Sequence, residues 1–148
     1  MISGLKKKPE NRNYIEVVEW ILLLVLLSVL FLGVIPYVKE SVQRQKAREI
    51  LRNAKDVRVS AQICFYDTYA KGEKAPAAGR RQILSKAVET DILETAKCHG
   101  RIDTIAYDRQ DVKVTDLVYI EDGYIASYRE VKGKPVWKVY RLSQMIGN

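Results

Sequence analysis

The sequence predicts an α+β chain: a long N-terminal helix, transmembrane in its first part and amphipathic in its second, packed on a small antiparallel β-sheet. Three observations predict it. Trp20 to Val38 is a run of 19 residues with no charged side chain. From Ala47 to Thr68, apolar side chains recur at spacings of three and four, which marks one face of a helix. In the last third, runs of alternating residues flank Glu121-Asp122-Gly123, and Asp-Gly is a hairpin turn signal.

The N-terminal residues 1–13 read as a polar leader. The apolar run that follows reaches about 28 Å as a helix, close to the hydrocarbon thickness of a bilayer. A chain of 148 residues is too small to surround such a helix on all sides, which argues against a buried core helix. Tyr14 and Trp20 at one end and Tyr37 at the other suit the headgroup layer. A cleaved secretory signal would have a shorter core followed by small residues. Gly33-Val34-Ile35-Pro36-Tyr37-Val38 does not fit that pattern. The expected organisation is therefore a leader over 1–13, a transmembrane helix over 14–38 and a soluble domain over 39–148.

Charge does not orient the span. Lys6, Lys7, Lys8 and Arg12 precede it, and Lys39, Arg44, Lys46, Arg48 and Arg52 follow it. The formal net charge is +7, of which residues 39–148 carry all but one unit. A basic soluble part suits anionic lipid or an acidic partner, although its charges of both signs are interspersed as on any solvated surface. Nothing in the pattern marks a specific nucleic-acid site.

The amphipathic half is expected to place Ile50, Leu51, Ala54, Val57, Ala61 and Phe65 against the sheet. Pro36 lies inside the helical pattern; it removes a backbone hydrogen bond and predicts a kink or local melting. Residues 71–79 read as a loop, Arg80 to Lys97 as a second helix, and Gly100 as its stop. Val112 to Ile120, Tyr124 to Val131 and Val136 to Leu142 are the expected strands, a three-stranded meander that needs the helix to complete its core. Tyr119, Tyr124, Tyr128, Tyr140 and Trp137 cluster in it, either as ordinary strand formers or as an aromatic contact surface.

The chemistry of catalysis is not evident. His99 is the single histidine, so a multi-histidine metal site within one chain is ruled out. There is no Gly-rich phosphate loop and no nucleophile elbow, and no cofactor is implied. Cys64 and Cys98 are the two cysteines, expected at the ends of neighbouring helices. They allow two readings: a disulfide closing a loop of about 35 residues, worth about 2–4 kcal/mol, or two free thiols acting as small hydrophobes.

Glu19 and Pro36, seventeen residues apart, together with Ile35-Pro36-Tyr37 and the half from Ala47 to Tyr69, resemble the first helix of type IV pilins and pseudopilins. Members of that family have a short basic leader, an apolar helix opening with a carboxylate, a proline and then an amphipathic half that supports an antiparallel sheet. The resemblance implies a pilin-like fold and a structural role: an assembly subunit of a type IV pilus, type II secretion or DNA-uptake-like envelope apparatus. It implies a single-pass protein of the cell membrane with its soluble domain outside the cytoplasm. Its partners would be membrane lipid and further pilin-like subunits, or copies of itself. In the family the carboxylate matching Glu19 pairs with a neighbour's freed N-terminal amine. Tyr14 stands where the family's peptidase recognises glycine, so an uncleaved leader is an alternative. Disulfides outside the cytoplasm also occur among pilin-like proteins. A membrane-tethered, non-enzymatic binding module that recognises a protein partner through its sheet is the alternative function.

Overall fold

A computed structural model describes residues 11–73, 79–111 and 113–145. Most of the polar leader, residues 74–78 of the expected loop, and Val112 lie outside the described residues. The chain divides into two compact units, residues 1–43 and 44–148.

In the first unit, α1 (Asn11–Val29) is followed by a π-helical turn (Leu30–Val34) and the beginning of α2 (Ile35–Ala70). Leucine, valine and isoleucine crowd this stretch. An α-helix bonds its backbone groups to one another, which is what an apolar solvent demands. Every described side chain from Tyr14 to Val38 is exposed. Among the described residues, one helix, Tyr14–Ala70, is long and apolar enough to cross a membrane.

The second unit is an antiparallel meander packed on the rest of α2. Its strands are β1 (Arg101–Asp108), β2 (Lys113–Glu121), β3 (Tyr124–Val131) and β4 (Lys134–Arg141), in the order β1-β2-β3-β4. The β2–β3 turn places Asp122 at φ 48° and Gly123 at φ 76°, the doubly left-handed geometry that an Asp-Gly pair predicts. Lys132 (φ 51°) and Gly133 (φ 74°) repeat it between β3 and β4. Each such turn matches the strand twist and so sets the register, for example Tyr128 opposite Trp137.

One face of the sheet is covered by α2. Ile50, Ala54, Val57, Ala61 and Phe65 are fully buried against Ile105, Tyr107, Val114, Leu117 and Tyr119. Leu51 is the correction to the expected contact face, being only half-buried. Polar bonds fix the dock: Asn53 Nδ2 donates to Glu121 Oε2 at 2.8 Å, and Arg58 Nη1 donates to the Tyr128 hydroxyl at 2.8 Å. The Arg58 guanidinium also lies 4.7 Å from the centroid of the Tyr128 ring.

Two further expectations are corrected. The second helix is α3 (Lys86–Ala96) and does not begin at Arg80. The residues before it are extended, and Gln82 exchanges backbone hydrogen bonds with Ile105 at 2.9 and 3.0 Å. Pairing with the exposed edge of β1 satisfies backbone groups there, so tertiary context overrides the helical pattern. The helix ends about where expected, but its stop is Lys97, left-handed at φ 54°, and not Gly100. The meander has four strands where three were expected, because β1 adds an edge.

Candidate functional site

Two surfaces carry side chains that the core does not use. The first is the apolar helix. Glu19 projects from α1 with no hydrogen bond or ion pair among the described residues, amid exposed Ile15, Val18, Leu22 and Leu23. A carboxylate in such surroundings is costly in a membrane unless it reaches the interface or a partner. The hydroxyl of Ser28, by contrast, is satisfied locally, donating to the Val25 carbonyl at 2.7 Å.

Pro36 acts on the turn before it. Its ring cannot sit against the carbonyl four residues back, that of Leu32, and its nitrogen carries no proton. The helix responds by widening over Leu30–Val34, where the Ile35 N–H reaches back to the Leu30 carbonyl. The irregularity expected from the sequence thus takes the form of a π-turn. Glu19 and Pro36 are not brought together: seventeen helical residues separate them, about 26 Å along the axis.

The second surface is the outer face of the sheet, whose charged cluster sequence reasoning missed. Asp116 on β2 is buried, with only 11% of its side chain exposed. Its Oδ2 accepts from Arg81 Nη2 at 2.6 Å and from Arg129 Nε at 3.0 Å. Its Oδ1 is buried with no partner among the described residues. Arg81 comes from the extended segment before α3, and Arg129 from β3, directly opposite Asp116. One carboxylate oxygen therefore holds two guanidinium groups, and the cluster keeps one net positive charge. Beside it is a cleft of about 320 Å³ whose lining includes Arg81, Arg129, Val131, Val136, Lys138 and Tyr140.

Part of this surface was legible. The tight β3–β4 turn sets Ser127 opposite Lys138 and Arg129 opposite Val136, so two of the cations share one face of a hairpin readable from sequence. Arg81 was not legible, because it belongs to a segment that reads as helix.

In the structure both cysteines are free thiols, the second of the two readings that the sequence allows. Cys64 Sγ lies 3.7 Å from Asp91 Oδ2, whereas Cys98 Sγ lies 3.7 Å from the Asn53 carbonyl. Asn53 and Cys64 are eleven residues apart on α2, about 16 Å along its axis. A disulfide needs Cα atoms within about 7 Å. The two helices are neighbours, as the sequence suggested, but run antiparallel, so Cys98 meets the wrong turn of α2. Burial pushes both thiols up from their ordinary value, with Asp91 adding to it at Cys64 and Glu121 at Cys98. Both are therefore neutral near pH 7 and poor nucleophiles. Intact-mass analysis without reductant is expected to show no loss of two hydrogens. Iodoacetamide at pH 7 should modify both thiols slowly in the folded chain and rapidly in urea. A mass two hydrogens lower in the monomer would restore the bridge.

Among the described residues, no cluster of three or more His, Cys, Asp or Glu side chains is arranged to hold a metal ion. His99 is exposed and lies beside shallow depressions near the end of α3. No protein-family model, curated protein or solved structure matches the chain.

Proposed function

We propose that this chain is a membrane-anchored, pilin-like assembly subunit of an envelope apparatus of the type IV pilus, type II secretion or DNA-uptake kind. The observation that carries the reading is the division of labour along the helix. Its first part exposes every described side chain and carries two carboxylates near its start, Glu16 and Glu19, while its second part is docked on the meander by five fully buried residues.

In this reading the span lies in the membrane beside other subunits, with the leader in the cytoplasm and residues 39–148 outside. Lateral packing buries the apolar side chains and gives Glu19 a donor from a neighbour, which relieves the cost of a lone carboxylate in hydrocarbon. The π-turn before Pro36 loosens the backbone where helices must adjust to one another. No catalytic role is assigned.

The test is crosslinking in membranes through a cysteine introduced at Leu27, with Cys64 and Cys98 replaced by serine. Glu19→Ala should leave insertion unchanged, because a simple anchor needs only apolar length. It should lower crosslinking between copies, or to a pilin-like partner, roughly threefold or more if the carboxylate's contact is worth about 0.7 kcal/mol. Equal crosslinking at equal membrane levels would leave the second reading, a tethered binding module. The observation that favours that second reading is the basic cleft on the outer sheet face.

A further inference from the structure

We infer that the cleft on the outer face of the sheet binds an acidic protein segment, seating a carboxylate side chain between Arg81, Arg129 and Lys138. This inference is independent of what the anchor helix does.

Three features of the cleft point to that chemistry. The first is charge. Arg81, Arg129 and Lys138 line it, and no carboxylate is among its described lining residues. Asp116 offsets one of the three cations from below, and Lys138 has no ion-pair partner among the described residues. The second is preorganisation. Each arginine is anchored to Asp116 through one nitrogen, at 2.6 and 3.0 Å, yet their side chains remain 45% and 61% exposed. The guanidinium nitrogens not used on Asp116 are left to meet a planar carboxylate, and little side-chain freedom remains to be lost. The third is the apolar surround. Val131, Val136 and Tyr140 line the same cleft, and Val136 and Tyr140 are 37% and 41% exposed. They offer contact to the hydrocarbon part of a glutamate or to an apolar neighbour of it.

These features select among anionic ligands. Free phosphate would use the cations and leave the valines and tyrosine uncovered. A flat anionic bilayer calls for cations that protrude, whereas both arginines are tied down to a buried carboxylate. An extended segment in which acidic and apolar residues alternate uses the charged and the apolar lining together.

The experiment uses the full chain in a neutral, non-ionic detergent. The probe is a fluorescein-labelled heptapeptide alternating valine and glutamate, with a valine–glutamine counterpart as control, and binding is read by anisotropy. The acidic peptide should saturate below about 1 mM and weaken with added salt. Lys138→Gln should weaken it roughly fivefold, and Arg129→Gln roughly tenfold. Lys138 is exposed and has no ion-pair partner among the described residues, so its variant keeps the fold, and the unfolding midpoint in urea verifies this. Saturable binding of the acidic peptide that Lys138→Gln weakens supports the proposal. Absence of saturation, equal binding of the glutamine peptide or indifference to Lys138→Gln overturns it. Displacement of the peptide by inorganic phosphate, or by micelles doped with phosphatidylglycerol, at the same anion concentration also overturns it, assigning the cleft to a free anion or to lipid.

Discussion

Phe65→Ala should lower the unfolding free energy of the sheet-bearing unit by about 3–5 kcal/mol, the largest effect expected of a single truncation in this chain. Phe65 is fully buried near the end of α2 and meets Tyr107 edge to face, with ring centroids 5.0 Å apart and planes at 70°. Its loss removes apolar burial, removes the aromatic contact and leaves a cavity between helix and sheet. The neighbours cannot collapse readily, because Tyr107 is itself fully buried with its hydroxyl unpartnered among the described residues. A domain of this size has only about 5–15 kcal/mol in total, so the variant sits close to the unfolded state at ordinary temperature. Urea unfolding of the full chain in mild detergent measures this. Trp137 fluorescence can be followed in a Trp20→Phe background, since these are the two tryptophans. Leu51→Ala is the internal comparison: Leu51 is half-buried and should lose markedly less. Equal losses at Phe65 and Leu51 would mean that the helix docks through a different face.

Gly100→Ala should cost about 1–3 kcal/mol or more, although it adds a single methyl group. An added Cβ would lie 2.5 Å from the Ile120 carbonyl oxygen and 2.5 Å from Cζ and the hydroxyl of Tyr119. The first contact is with backbone inside β2, which cannot give way without disturbing the β1–β2 ladder. The second displaces a ring that is fully buried. It also breaks the hydrogen bond in which the Gly100 N–H donates to the Tyr119 hydroxyl at 3.1 Å. That pocket already pushes the Tyr119 phenol well above its ordinary value, through burial first and the nearby Glu121 second. The unfolding midpoint in urea reports the loss. A midpoint equal to that of the wild type would show that the approach of residue 100 to β2 is looser than the structure describes.

The two positions differ in how they could be found from the sequence. Phe65 was readable, because helical periodicity alone places it with Ile50, Ala54, Val57 and Ala61. Gly100 was read as a helix stop, and its actual role depends on a strand twenty residues later. The β1 strand was missed for a related reason. The ladder slips between Ile102 and Thr104, leaving Asp103 as an extra residue, so the buried positions fall at Ile102, Ile105, Ala106 and Tyr107. A bulge breaks the two-residue alternation by which strands are recognised. The hairpin strands β2 to β4 were readable because two tight turns hold them in register and the alternation is kept along β3 and β4.

Features written in local periodicity and local chemistry could be read from the residues alone. These are the uncharged run from Trp20 to Val38, the disruption that Pro36 imposes, the buried stripe on α2 and the turns at Asp122-Gly123 and Lys132-Gly133. Each depends on interactions a few residues apart, so spacing alone carries the information. Features made by residues distant along the chain emerged from packing. The segment before α3 became an edge partner of β1 because an open sheet edge offered hydrogen bonds there. Cys64 and Cys98 remained thiols because antiparallel helices set them about three turns apart. Arg81 joined Arg129 on Asp116 because its segment pairs along the β1 edge, from which its side chain reaches Asp116, a convergence to which no periodicity in the sequence corresponds.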